Sequence, residues 1–505
     1  MKENKRIRQR QRLRWGGYLI LFVIAGAVLK LPLMPINQAE YTDGILQLTQ
    51  FKDGGGGIWP PLYTLLCWPL SLIMTPVWSG RTVSTLFSIA GVIPLYLLTR
   101  RAFGLQAAVF AALVYTVAPV PLRWSPRVMT EATFCFFFWF ACERLITAQG
   151  ARNQQQADRA LAWASLLGML AALTRFQGLL LVLPPFAIAF FQWRLRGFIP
   201  WRGLMSLGLY VAAPAWMIAT GTIHGTQFAE RAGPSPWMVF VLNAEPFLLY
   251  TAYFLTYPVA VLAAIGLVKG RARPRYVVMP LTLYVFTVLL VAQSLFSSFQ
   301  ERYMLPAYGL LFIWAGLGMA ITNRQLRVSA PRLRPWIPIL TVVWCLFIAA
   351  LVLTGSRQVF GDIRDAARHV KNLRAEEAAP VYTNELYRDA RPGEPRIAGD
   401  KVRYYLRDDV TFLGPEYYEF EERLEPGSLL IMSSAYGAAR QVERLGFFYE
   451  LEHLETFTSI VTPVFPDIMS VPGTAQNPLW WHYRYMPQEF DTDVWRVAGL
   501  RRHTP

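Results

Sequence analysis

Acidic residues are scarce in the first 355 positions of this chain. That stretch holds ten Asp and Glu against 31 Lys and Arg, a formal charge of +21. Residues 356–505 hold 23 acidic against 18 basic side chains, or −5. The overall +16 therefore belongs to the apolar part of the chain. There, basic residues mark loops kept on the cytoplasmic side of a membrane and make no case for nucleic acid. Cysteine is nearly lacking too. Cys67, Cys135, Cys142 and Cys345 all lie in apolar runs, and the polar C-terminal part has none. That excludes a disulfide framework and a thiolate metal site there. The five histidines are scattered without zinc-ligand spacing. No internal repeat and no low-complexity linker is present.

What is abundant is apolar sequence. The chain is 54% hydrophobic over 505 residues, and several runs reach the roughly 20 residues that a bilayer-crossing helix needs. The sequence predicts a polytopic α-helical membrane protein with about eleven transmembrane helices. The first runs over 15–33, behind a basic tail at 1–14, with no small-residue cleavage site after it. Further spans are expected near 81–99, 105–122, 131–148, 160–174, 176–193, 203–221, 247–268, 276–296, 303–321 and 336–354. Leu62–Val77 is apolar but short and holds Pro69 and Pro76. Treating it as re-entrant or interfacial, and 161–191 as a hairpin turning at Arg175, puts every basic cluster on the cytoplasmic side. The N-terminus is then cytoplasmic. Seven of the ten acids fall on the outer side: Glu40, Asp43, Asp53, Glu131, Glu230, Glu245 and Glu301.

Three of these acids lie in one loop, Ile36 to Leu62, which also holds Lys52, a four-glycine run and Trp59-Pro60-Pro61. Charge is costly beside lipid, so this concentration marks a site. Glu40 and Asp43 are three apart and would share a face of a helix. The alternative is a solvated helix with acids at its first turn. Glu131 stands at the outer mouth of a span after Arg123 and Arg127, with Thr130 as its possible cap. Arg175 and Arg302-Tyr303 could hold a phosphate through the guanidinium fork; the bland alternative is snorkelling, or for Arg302 a local pair with Glu301. Lys52 with Gly54–Gly57 could form an anion-binding nest, although no helix follows at P-loop spacing.

From Gly355 the pattern changes to short β-like runs (Val381–Thr383, Val410–Leu413, Leu429–Met432, Phe447–Glu450) alternating with helix-like segments (Asp362–Arg374, Ala435–Leu445). Residues 356–505 are expected to form a soluble, extracytoplasmic α/β domain ending in an aromatic, Pro-rich tail from Val461. Residues 15–355, with their outer loop at 35–80, form the membrane domain.

The motifs AEYTDG and WPPLY in the first outer loop, RVMTEATF in the second, LTRFQGLLL and ERYMLP follow one another in a definite order. In this the chain resembles the GT-C glycosyltransferases, above all the bacterial protein mannosyltransferase and aminoarabinose transferase family, over residues 1–355. The resemblance implies transfer of a sugar from a polyprenyl-phosphate-linked donor to a lipid, glycan or protein acceptor. The reaction would take place at the outer face of a bacterial inner membrane. It implies Glu40, Asp43 and Glu131 as the catalytic acids. Arg127, Arg175, Arg302, Tyr303 and Lys52 would hold the lipid phosphate and sugar. No cofactor is certain, and a divalent metal ion is possible. Relatives commonly begin the first motif with Asp where this chain has Asn37-Gln38. A transporter or flippase would instead place its polar residues on broken helices at mid-membrane. A family member with altered chemistry, acting as a scaffold, is the other alternative.

Overall fold

The computed structural model describes residues 2–49, 59–219, 251–270, 278–294, 301–376, 378–385, 400–408, 410–413, 424–461 and 488–501. Two compact units emerge. One comprises residues 1–35, 47–353 and 467–469; the other comprises 36–46, 354–466 and 470–505.

The first unit is helical throughout its described residues. Among the described residues of the whole chain, five stretches are long and apolar enough to cross a membrane: Gly16–Leu33, Pro76–Phe103, Phe176–Arg196, Glu301–Ser329 and Pro331–Ala375, the last running on into the second unit. This is a multi-pass membrane protein. Several expected spans occur as broken pieces, because proline and glycine interrupt the backbone ladder. Pro76–Ala90 and Val92–Phe103 meet at Gly91, while Leu105–Val117 and Pro119–Trp124 meet at Ala118. The 203–221 span is divided among Trp201–Met205, a 3-10 turn and Ala212–Ala219. The expected spans near 247–268 and 276–296 lie partly outside the described residues. Lys2–Lys30 is one continuous helix, so the basic N-terminal residues run into the first span without a break. Leu62–Ser71 is a ten-residue helix with Pro69 inside it. At 1.5 Å per residue it reaches about 15 Å, half a hydrocarbon core.

Small residues set how closely these helices pack, since lipid tails give no hydrophobic push between them. A Cβ on Gly318 would lie 1.8 Å from the Leu262 carbonyl oxygen, and one on Gly266 would lie 2.0 Å from that of Trp314. The helices Tyr257–Gly270 and Leu305–Ser329 therefore touch backbone to backbone. Trp139 locks the neighbouring helix by donating its indole N–H to the Pro306 carbonyl at 3.0 Å.

The second unit is an α/β layer. Its sheet has the order β2-β1-β3-β5-β4, with β1 Val381–Thr383, β2 Thr411–Phe412, β3 Leu429–Ser433, β4 Tyr449–Val461 and β5 Gln488–Leu500. β1 runs parallel to both β2 and β3, while β5 is antiparallel to β3 and β4. β3 reads LLIMS and is buried along its length, as a strand covered on both faces must be. Leu429 and Ile431 pack with Ile363, Ala366 and Val370 of the helix Gly361–Glu376. Leu430 and Met432 go to the other face, with Leu445 of the helix Ala438–Phe448 and Val497. Each such side chain contributes about 2 kcal/mol by burial. Asp362 is buried beneath the hairpin, where the hydroxyls of Ser459 and Thr492 donate to its two oxygens at 2.8 and 2.7 Å. Burial raises its pKa above the ordinary carboxylate value, and those hydroxyls hold the rise in check.

Residues Ile36–Leu46 also belong to this unit. The Gln38 N–H donates to the Arg357 carbonyl at 2.9 Å, and Arg364 donates to the Gln38 carbonyl at 2.5 Å. The Tyr41 ring meets Phe360 edge-on at 5.7 Å. The loop expected to belong wholly to the membrane domain is thus divided, its leading acid segment packing with the polar domain.

Candidate active site

Glu131 opens the 20-residue helix Glu131–Gly150, where a carboxylate complements the helix dipole. Thr130 does not cap it with its side chain. Its hydroxyl instead accepts from Arg175 at 3.0 Å. The same Arg175 Nη1 donates to Glu131 Oε1 at 2.6 Å, and Arg175 Nε to Gln177 Oε1 at 2.7 Å. Arg175 has an extended backbone between the helix Gln154–Ala172 and the 3-10 turn Phe176–Val182. That bend is what aims it back at the start of the neighbouring helix.

Arg302 comes from a 3-10 turn, Glu301–Met304, just ahead of the helix Leu305–Ser329. Its Nε lies 3.7 Å from Glu131 Oε1, and its Nη2 donates to the Tyr303 hydroxyl at 3.1 Å. Glu301 accepts from Arg123 at 2.6 Å and from the Trp124 indole at 3.1 Å. The Trp124 ring is a shared platform. The guanidiniums of Arg123, Arg127 and Arg302 stand 5.1, 5.9 and 5.2 Å from its centroid. The Tyr303 ring lies 5.3 Å from Arg175 and 4.9 Å from Arg302, within cation–π range.

The cluster thus gathers four arginines and two glutamates, none exposing more than 8% of its surface. Among the described residues these six groups sum to +2. Burying ions costs several kcal/mol each even when they are paired, so an arrangement weighted toward guanidinium is suited to an anion. Glu131 Oε2 has no hydrogen-bond partner among the described residues. It is an acceptor held ready beside that positive field.

Glu40 lies in the other unit, fully buried, and its N–H donates to the Tyr405 hydroxyl at 2.9 Å. Burial first, and then the negative charge of Glu40, push the Tyr405 phenol well above its ordinary value, so it stays neutral. The expected shared helical face of Glu40 and Asp43 is not formed. The helix spans Thr42–Thr49, and its first bond runs from the Ile45 N–H to the Tyr41 carbonyl. Glu40 therefore precedes the helix, whereas Asp43 sits in its first turn. Lys52, Asp53 and the glycine run lie outside the described residues.

Of the expected site residues, the structure brings together Glu131, Arg127, Arg175, Arg302 and Tyr303. It adds Arg123, Trp124, Glu301 and Gln177, which the sequence pattern does not single out as ligands of the phosphate or sugar. Their signal was present: Arg123-Trp124 and Glu301 flank the residues already singled out. Among the described residues no group of three or more His, Cys, Asp or Glu could hold a metal ion, and an arginine-weighted pocket repels cations.

Residues 59–218, short of half the chain, match the family model described as dolichyl-phosphate-mannose-protein mannosyltransferase. No curated protein sequence matches. Among solved structures, ArnT from Cupriavidus metallidurans bound to undecaprenyl phosphate is similar with a TM-score of 0.58 at 14% identity. The alignment covers 87% of this chain and 96% of that one. Its apo form gives 0.57 at 15% identity over the same shares. The oligosaccharyltransferase AglB from Archaeoglobus fulgidus, complexed with an inhibitory peptide and a dolichol-phosphate, gives 0.49 at 12% identity, covering 81% and 65%. The fold is that of the GT-C glycosyltransferases. Residues 59–218 carry the sequence pattern of that mannosyltransferase family, and the fold is similar to that of ArnT.

Proposed function

We propose that the protein transfers a sugar from a polyprenyl-phosphate-linked donor to an acceptor at the outer face of a bacterial plasma membrane. The observation that carries this reading is the buried cluster of four arginines and two glutamates. In the reaction the bond between the sugar C1 and the phosphate oxygen breaks, and a bond from C1 to the acceptor hydroxyl oxygen forms. The acceptor proton passes to a base, and the lipid phosphate departs with an extra negative charge. Arg302, Arg175 and Arg127 meet that charge as it grows, which is where fixed cations act most strongly. Glu131 Oε2 can accept from a sugar hydroxyl. Glu40 takes the proton, and Asp43 orients. Residues 356–505 form the outer domain.

The site's position supports an enzyme over a transporter. Seven of the ten acids in residues 1–355 fall on the expected outer side, whereas transport sites cluster on broken helices at mid-membrane. The direct test supplies purified protein with radiolabelled polyprenyl-phosphate sugars and a native envelope extract. Label should move from the lipid to an envelope component. No transfer with any donor, together with label crossing sealed vesicles, would establish transport instead.

The sidedness has its own test. Gly178 cannot carry a probe, since a Cβ there would lie 2.2 Å from the Ala172 nitrogen; one on Gly270 would lie 2.8 Å from Trp314. Gly150 and Gly446 have nothing within 4 Å of an added Cβ, and the four native cysteines are buried. In sealed cells an impermeant thiol reagent should label Gly446→Cys and spare Gly150→Cys. The opposite pattern would invert the topology.

A further inference from the structure

The helix Glu131–Gly150 has a second feature at its other end, about 30 Å from Glu131. A cavity of about 910 Å³ lies there, with Arg101, Arg144, Arg159 and Arg196 among its lining residues. Glu143 is buried behind it and pairs with Arg101 at 2.9 Å and Arg144 at 2.6 Å. Arg159 and Arg196 are exposed and have no ion-pair partner among the described residues. Their neighbour Asp158 accepts from the Gly203 N–H at 2.8 Å and is not part of the lining.

The wall of this cavity is apolar and open. Trp163, Phe191 and Leu195 expose 51, 43 and 77% of their surface, as a lipid-facing helix surface does. Gln192 lines the cavity while only 2% exposed. Its amide N–H groups donate to the Ala148 and Gln149 carbonyls at 2.7 and 2.9 Å. Its Oε1 has no partner among the described residues. Two open guanidiniums, one buried acceptor and an apolar wall suit a single amphiphile. It has a phosphate, a hydroxyl beside that phosphate, and an acyl chain.

We propose that this cavity binds an anionic phospholipid with a hydroxyl-bearing headgroup. Its phosphate sits on Arg159 and Arg196, a headgroup hydroxyl donates to Gln192 Oε1, and an acyl chain lies along Trp163 and Phe191. Basic pockets between membrane helices are suited to such headgroups. The site is separate from the catalytic cluster and does not depend on the sugar-transfer reading.

The test uses the full-length chain in detergent, with lipid retention followed by native mass spectrometry. Wild type should retain phosphatidylglycerol and release phosphatidylcholine of the same chain length. Millimolar inorganic phosphate should not displace the retained lipid. The double variant Arg159→Gln/Arg196→Gln should bind phosphatidylglycerol about 25-fold more weakly, at roughly fivefold per basic residue. Trp163→Ala leaves every charge in place, and should weaken long-chain phosphatidylglycerol more than a short-chain form. It keeps the proposal testable if the double variant misfolds. Equal retention of both lipids, or retention unchanged in both variants, would overturn the proposal. Displacement by phosphate would also overturn it, showing a site for the free anion.

Discussion

Replacing Arg302 by alanine should lower sugar transfer by about 10²- to 10³-fold, the usual cost of removing one fixed donor from a site of developing charge. The side chain is 3% exposed and faces Glu131 Oε1, the Tyr303 hydroxyl and the Trp124 ring at once. Its guanidinium therefore cannot reorient toward solvent, and its field is spent on the pocket. Arg302→Lys should recover only part of the loss. Lysine keeps the charge but lacks the planar fork that reaches two phosphate oxygens together. The effect should fall on turnover and on donor KM, with acceptor KM unchanged. Glu131 keeps its bond to Arg175 in both variants, so thermal stability in detergent should separate a folding defect from a chemical one. Wild-type donor dependence in both variants would reduce Arg302 to a packing residue and remove the main support for the donor assignment.

Glu40→Gln should lower turnover by about 10²–10⁴-fold, the range expected for a positioned base. Folding should survive, because the hydrogen bond that anchors residue 40 to Tyr405 comes from its backbone N–H. Glutamine keeps the shape and the hydrogen-bonding reach but cannot take a proton at working pH. Asp43→Asn and Glu131→Gln are the comparisons. An orienting or hydroxyl-binding acid should cost less than the base and leave the acid limb of the pH–rate profile in place. Asn37→Asp is the reverse change, restoring the acid that relatives carry. Asn37 is itself buried, so an aspartate there would be strongly perturbed and easily detected in the profile. Activity raised by Asn37→Asp, combined with a neutral Glu40→Gln, would move the base to position 37.

The membrane character of this chain follows from composition alone, because a run of apolar residues has the same meaning wherever it folds. The runs at Val381–Thr383 and Leu429–Met432 coincide with β1 and β3 for a related reason, since burial on both faces demands unbroken hydrophobicity. Strand β5 lies inside the stretch expected to be a tail, although its alternation is visible in the sequence. Phe490, Thr492 and Val494 alternate with charged Asp491 and Asp493, and a Pro-rich stretch before them masks the pattern. The order of motifs in residues 1–355 was enough to recognise the GT-C superfamily. Long-range pairing was not readable in this way. Arg123 meets Glu301 across 178 positions, and Arg175 meets Glu131 across 44. Sequence neighbours suggested instead that Arg302 would pair with Glu301 and that Thr130 would cap its own helix. Buried charges take whichever partner relieves the most desolvation, and only the assembled helices decide which one is within reach. The same holds for Glu40, which adjacency assigns to the membrane domain, whereas its N–H bond to Tyr405 and the contact of Tyr41 with Phe360 place its segment in the other unit.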